Sequence, residues 1–326
     1  MMFSNNYFKK EIREGFEVSE MMKRAWAAEL EVLQAVIDIC NNNNLQYFAD
    51  WGTLLGAVRH QGFIPWDDDI DICLKREEYN KLLEILPQQL PYGLVVAGMY
   101  ADSDRLKEAN YTAQIRVIAD ETLIEFNDYM KWFHGFPFQR VGIDIFPLDY
   151  INVDSNTAEM QRTMFRYGMY IATKWDTLVK NGELEEYLRT FGELCNVKFD
   201  INHSLRNDIW KMTDAIAALC YNDEADEVTE YVNELDNTKY RMKKEWYDNT
   251  IMMPFENIEI AVPEKYHEVL TAQFGDYMIP VRGVADHEYP FYKKLESELI
   301  KQINNAGFKG SVDEFCELVS SGKLKV

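Results

Sequence analysis

Met22, Trp26, Leu30, Leu33 and Ile37 recur at spacings of three and four residues, which puts one apolar stripe on a helix that the four asparagines at 41–44 stop. Beyond it the pattern changes. Residues 45–49 predict a short strand, 53–60 a brief helix closed by Gly62, and 70–74 a second strand. Residues 76–86 are helical by pattern and end at Pro87, after which 94–97, 113–118, 122–126 and 141–146 predict four more strands. From 157 to 245 long helices take over, with Met160, Met164, Phe165 and Met169 at core spacing. A last strand at 258–261 leads through Pro263 into a helix over 264–274, which Gly275 caps.

Helices among several strands predict an α/β or an α+β protein, and the helix-rich stretch after residue 157 an added helical subdomain. The expected division is a core over 1–155, the helical subdomain over 156–250 and a C-terminal segment over 251–326 that packs back on the core.

The composition sharpens this in two ways. A hydrophobic content of 47% supports a real core. A net charge of -21 argues against a sequence-independent grip on nucleic acid, leaving a nucleotide to be held by metal and local donors. Cysteines at 40, 73, 195, 220 and 316 are scattered and form no C-x-x-C pair, so neither a zinc ribbon nor a disulfide framework is indicated. Reduced thiols in a cytoplasm are expected. Residues 1–16 carry no apolar signal region, and no stretch reaches the roughly 18 to 20 apolar residues of a membrane span.

Candidate chemistry concentrates at Asp67, Asp68, Asp69 and Asp71, four carboxylates that would repel one another unless cations offset them. Alternation along the predicted strand sends Asp69 and Asp71 to one face while Ile70 packs on the other. Paired hard oxygen ligands select Mg²⁺ or Mn²⁺. An EF-hand is rejected, because Ile72 stands where its turn needs glycine and Pro65 where its entering helix should run. Asp144 lies within a predicted strand between Ile143 and Ile145, where an aspartate is either a paired core charge or a third ligand. Gly52 and Thr53 stand between strand and helix, where backbone amides can hold a phosphate oxygen or the residues merely cap. Arg59, His60 and Arg116 could meet a diphosphate or pair with the aspartates.

The unbroken run Trp51-Gly-Thr-Leu-Leu-Gly-Ala-Val-Arg-His-Gln-Gly-Phe-Ile-Pro-Trp-Asp-Asp-Asp-Ile-Asp-Ile72 resembles the hallmark of the LicD family, which fukutin-related transferases share. Asp144-Ile-Phe-Pro147, Phe255-Glu-Asn257 and Phe274-Gly-Asp-Tyr-Met278 resemble the family's later blocks. The resemblance covers about 20–150 closely and 250–290 more loosely. It implies an α+β nucleotidyltransferase fold, a mixed β-sheet core flanked by helices, whose site here comprises Gly52, Thr53, Asp69, Asp71 and Asp144. It further implies transfer of phosphocholine from CDP-choline to a sugar of a surface glycan, or of another CDP-activated alcohol phosphate such as ribitol phosphate.

On that reading Asp69, Asp71 and Asp144 hold a divalent ion, with Asp67 as a further ligand, and Gly52, Thr53, Arg59, His60 and Arg116 face the donor. A choline group would be caged by aromatic residues, for which Trp66, Tyr129, Trp132 and Tyr150 are the candidates near the motifs, core packing explaining each about as well. The resemblance leaves open peripheral contact with a lipid-linked acceptor at the inner face of the membrane. The competing readings are a DxD glycosyltransferase, which would need a longer nucleotide-binding unit upstream, and an acidic binding module without activity.

Overall fold

A computed structural model describes residues 3–4, 6–108, 110–139, 141–199, 205–234, 240–281, 290–305 and 307–326. The chain opens with a hairpin of β1 (Glu11–Arg13) and β2 (Phe16–Val18) and enters the 23-residue helix α1 (Glu20–Asn42). Ser19 caps that helix by accepting the Met22 N–H at 3.1 Å, and at the other end Asn43 donates its amide to the Ile39 carbonyl at 2.7 Å. More than one stripe of α1 is buried: Lys23, Arg24 and Glu29 are enclosed along with the apolar positions.

There follow β3 (Phe48–Ala49), α2 (Trp51–His60), β4 (Asp71–Lys75), α3 (Arg76–Gln89), β5 (Leu94–Gly98), α4 (Asp104–Glu108), β6 (Ile115–Ala119), α5 (Phe126–Trp132) and the long β7 (Gly142–Asn152). These strands form one mixed sheet in the order β3-β4-β7-β6-β5, in which β4 and β7 run parallel and the other pairs antiparallel. The α+β class with a mixed sheet flanked by helices is as expected.

The strand expected at 122–126 is not there. Asp120 accepts the Thr122 N–H at 2.9 Å and its hydroxyl at 2.8 Å, which turns the chain, and α5 starts at Phe126. Pro87 does not end α3 but sits inside its last turn. Gly62 does not close α2 either, since Gln61 takes the left-handed conformation there at φ 55°. Gly62 is required for another reason: a Cβ on it would collide with the Glu256 carboxylate.

The next stretch packs α6 (Ser155–Thr173), α7 (Trp175–Asn181), α8 (Leu184–Cys195) and α9 (Leu205–Ala217) around a second hydrophobic cluster that includes Phe165, Leu188, Phe191 and Trp210. Met164 and Met169 pack on it, whereas Met160 is exposed. Helix does not fill the region to residue 245. The strand β8 (Ala225–Thr229) pairs with the second half of β7, α10 (Tyr231–Glu234) follows, and β9 (Met242–Lys243) pairs with β8.

A buried ion cluster ties this layer to the sheet. Arg76 grips Asp149 through two hydrogen bonds, of 2.6 and 2.9 Å, and Asp214 of α9 at 3.0 Å, while the Tyr100 hydroxyl donates to Asp214 at 2.6 Å. The chain ends with the hairpin β10 (Thr250–Phe255) and β11 (Ile258–Pro263), then α11 (Tyr266–Phe274), α12 (Lys293–Asn305) and α13 (Val312–Ser320). Gly275 caps α11 at φ 72°, as its position after the predicted helix suggests.

Candidate active site

The acidic run leaves a turn, in which the Asp67 N–H bonds the Ile64 carbonyl at 2.9 Å, and enters β4 only at Asp71. Asp69 therefore precedes the strand rather than sharing a strand face with Asp71. The parallel register of β4 and β7 sets Asp71 opposite Asp144, and the antiparallel register of β6 and β7 sets Asp144 opposite Arg116. One row across three strands thus carries two carboxylates and a guanidinium on the same face, with Arg116 Nε 2.7 Å from Asp144 Oδ1.

The electrostatics follow from that crowding. Burial first, then the neighbouring Asp69, Asp144 and Asp67 carboxylates, push the Asp71 carboxyl well above its ordinary range. Burial, then Asp69 and Asp68, do the same to Asp67. For Asp144 burial pushes up while Arg116 and Gln114 pull down, and the result is still a raised value. The chain supplies more negative charge here than Arg116 can balance. A set of hard carboxylate oxygens with a surplus of charge fits a divalent cation such as Mg²⁺ or Mn²⁺.

The strand-to-helix turn upstream is built to this cluster. Asp50 caps α2 by accepting the Trp51 N–H at 2.8 Å, with Trp51 held at φ 43°. A Cβ on Gly52 would collide with Asp67 Oδ2, so the acidic turn lies directly over the helix start. Thr53 is spent locally, since its hydroxyl oxygen accepts the Asp71 N–H at 2.9 Å and so joins α2 to β4.

Other predicted donor contacts lie elsewhere. Arg59 and His60 occupy the far end of α2, about 10 Å from Gly52 at the helical rise. Arg59 Nε donates to His60 Nε2 at 2.8 Å and its Nη1 to the Tyr277 carbonyl at 2.7 Å, while burial and Arg59 hold His60 below its usual range. The structure does not bring them to the acidic row.

The aromatic candidates separate as well. Tyr129 and Tyr150 are fully buried with their hydroxyls donated to the Phe138 carbonyl and to Glu77, and Trp132 stacks on Phe133 at 4.7 Å. Tyr129 and Tyr150 are core residues fixed by packing and by their hydroxyl bonds, Trp132 is half-buried against that core, and the three form no cage. Trp66 alone of the four adjoins the acidic run, half-buried beside Phe16 and His60.

Sequence reasoning missed Glu29. It is buried in α1, its Oε2 has no hydrogen-bond partner among the described residues, and burial together with Asp68, Asp69 and Asp67 pushes its carboxyl well up. Its only signal was a charge set among alanines and leucine in Ala27-Ala28-Glu29-Leu30. Beside Arg116 lies a cavity of ≈ 100 Å³ lined also by Asn110, Tyr111, Thr112 and Gln114, none of which the sequence singled out.

Comparison with known proteins agrees with the motif. Over 261 residues, 76% of this chain and 88% of the relative, the sequence is 27% identical to the lipopolysaccharide cholinephosphotransferase LicD of Haemophilus influenzae. Shorter similarities, 43% over 67 residues and 45% over 64, link it to uncharacterised proteins of Rickettsia prowazekii and Rickettsia typhi, of which they cover 25% and 21%. Residues 44–174 match the LicD/FKTN/FKRP nucleotidyltransferase domain, which spans α2, the acidic turn and all of β7. The chain carries a nucleotidyltransferase domain of the LicD family.

Proposed function

We propose that this protein is a metal-dependent transferase that moves phosphocholine from CDP-choline to a hydroxyl of a cell-surface glycan or its precursor, releasing CMP. The observation that carries the reading is the row Asp71, Asp144 and Arg116, set in register beneath the turn that holds Asp67 and Gly52. The similarity to a cholinephosphotransferase over most of that protein's length supports the choice of cargo.

Asp69, Asp71 and Asp144 would hold Mg²⁺ or Mn²⁺, with Asp67 beside them, and the bound ion would supply charge compensation for a diphosphate. The chain's own groups account for the remaining steps. The acceptor oxygen attacks the choline-bearing phosphorus while the bond from that phosphorus to the CMP oxygen breaks. A carboxylate of the row takes the hydroxyl proton. Arg116, anchored on Asp144, offers a fixed guanidinium to a phosphate oxygen. The amides at the start of α2 add donors at Gly52. No helix among the described residues is long and apolar enough to cross a membrane.

The test is incubation with Mg²⁺, CDP-choline and candidate glycans, followed by measurement of CMP and of choline on the glycan. Faster release from CDP-ribitol would move the assignment to another alcohol phosphate. Release of a nucleoside diphosphate from a nucleotide sugar would replace it with glycosyl transfer, and no turnover with any donor would leave an acidic binding module.

A further inference from the structure

We propose that Asp50, Cys73, Glu230 and Gln273 form a second, buried metal site that binds zinc, separate from the carboxylates assigned to the reaction. Asp50 lies between β3 and α2, Cys73 in the middle of β4 and Glu230 just after β8, yet their ligand atoms all lie within 4.8 Å of one another. All three side chains are buried.

One oxygen of each carboxylate accepts the surrounding N–H donors. Asp50 Oδ1 accepts the Trp51 N–H at 2.8 Å and the Gln273 amide at 2.7 Å, and Glu230 Oε2 accepts the Trp51 indole N–H at 2.9 Å and the Asn233 amide at 2.5 Å. Among the described residues Glu230 Oε1 is buried without a hydrogen-bond donor, and the Glu230 carboxyl lies against that of Asp50. Independently, Gln273 reaches the same place from α11, is 5% exposed, and its Oε1 also has no hydrogen-bond partner among the described residues. Asp50, Glu230 and Gln273 line one cavity of ≈ 10 Å³, about the room a single water or ion occupies.

No described residue lining that cavity is basic. Two buried carboxylates without a cationic partner are costly unless they coordinate a metal or share a proton. The thiol decides between metals, because Mg²⁺ takes oxygen ligands whereas zinc accepts sulfur, oxygen and mixed sets. At zinc bond lengths of about 2.0–2.3 Å, tetrahedral ligand atoms stand roughly 3.5 Å apart, inside the spread found here. Four protein ligands make a closed site, which marks a structural rather than a catalytic ion. The zinc would clamp the Trp51–Gly52 turn, the strand carrying Asp71, the end of β8 and α11 to one another.

The test is metal analysis of the full chain, purified without a metal-chelate column and dialysed against Mg²⁺ buffer containing zinc buffered at nanomolar free concentration. About one zinc per chain is expected in the wild type and in Asp71→Asn, falling about tenfold in Cys73→Ser and Glu230→Gln. Protein produced with cobalt in place of zinc should show a thiolate-to-cobalt absorption band that Cys73→Ser abolishes. Should that variant fail to fold, the folded Glu230→Gln protein and the wild-type stoichiometry carry the decision. A wild-type chain free of transition metal means a proton shared by Asp50 and Glu230 and overturns the proposal, as does full zinc content in Cys73→Ser. None of these readings depends on transferase activity.

Discussion

The Asp67 carboxylate occupies the space that a Cβ on Gly52 would need, so the glycine of the helix start and the first aspartate of the acidic run are fitted to each other. The Asp67 backbone is pinned, so only its carboxylate can turn aside. Its carbonyl accepts the Trp26 indole N–H at 2.8 Å, its N–H is bonded to Ile64, and its Oδ1 accepts the Asp68 N–H at 3.2 Å. Gly52→Ala gains about 1 kcal/mol of helix propensity and displaces a carboxylate. Its kcat/KM should fall about 10- to 100-fold while the denaturant midpoint changes little. Unchanged turnover would separate Asp67 from the reaction.

Neutralising one member of the Asp71–Asp144 pair should stop the reaction without harming the fold. For Asp71→Asn a loss of about 100-fold or more in turnover is expected, on the scale set by removing one charge-stabilising group. Its melting temperature should equal or exceed that of the wild type, because a repelling carboxylate has gone. Calorimetry and CMP release on one preparation check both halves, and an active variant would sink the assignment.

Chelation supplies a complementary measurement. EDTA should abolish CMP release, and excess Mg²⁺ or Mn²⁺ should restore it, with Ca²⁺ a poor substitute because of its larger, looser coordination. Turnover that persists in EDTA would remove the ion from the reaction.

Breaking the Arg76 cluster should act on stability first. Arg76→Met leaves Asp149 and Asp214 buried without their counter-ion and should destabilise by about 3–5 kcal/mol. Urea unfolding followed by tryptophan fluorescence reads this directly. A loss under about 1 kcal/mol would show that the cluster contributes little beyond packing.

Asp120 predicts an acid-side signature. Burial raises its carboxyl, but the Thr122 N–H and hydroxyl and the Arg105 guanidinium outweigh this and hold it below the usual value of 3.8. A lowered folded value means stabilisation that is present above about pH 4 and is lost as pH falls further. Asp120→Ala should therefore cost about 1–2 kcal/mol at pH 7, with the difference from wild type narrowing below pH 4. A gap constant from pH 7 to pH 3 would refute the linkage.

How far these features were legible from sequence depends on the range of the interaction behind them. The helical stripe of α1, the acidic turn and Asp144 announce themselves locally, by period or by a charge among isoleucines. The register that aligns Asp71, Asp144 and Arg116 does not, because it is set between strands far apart in sequence. Residues 122–126 read as a strand on composition alone, and Asp120 overrules them with two short-range hydrogen bonds. β8 escaped because Asp226 and Glu227 interrupt its apolar pattern. Glu230, Cys73 and Gln273 carried no signal at all, since only the fold brings them together. Tyr129 and Tyr150 were near the motifs in sequence and yet belong to the core, where burial and bonded hydroxyls hold them.

The length of β7 has a mechanical consequence. It is one strand of 11 residues, and it pairs with β4 and β6 over its first half and with β8 over its second. Asp144 and Asp149 are five residues apart on it, about 17 Å at the rise of an extended strand, and the odd spacing puts them on opposite faces. Held between β4 and β6 in its first half and by β8 in its second, such a strand behaves as a strut rather than a tether. Through Asp149, Arg76 and Asp214, the helical layer is bolted to the same beam that carries Asp144. The distance between that layer and the acidic row is therefore set by the covalent length of the chain.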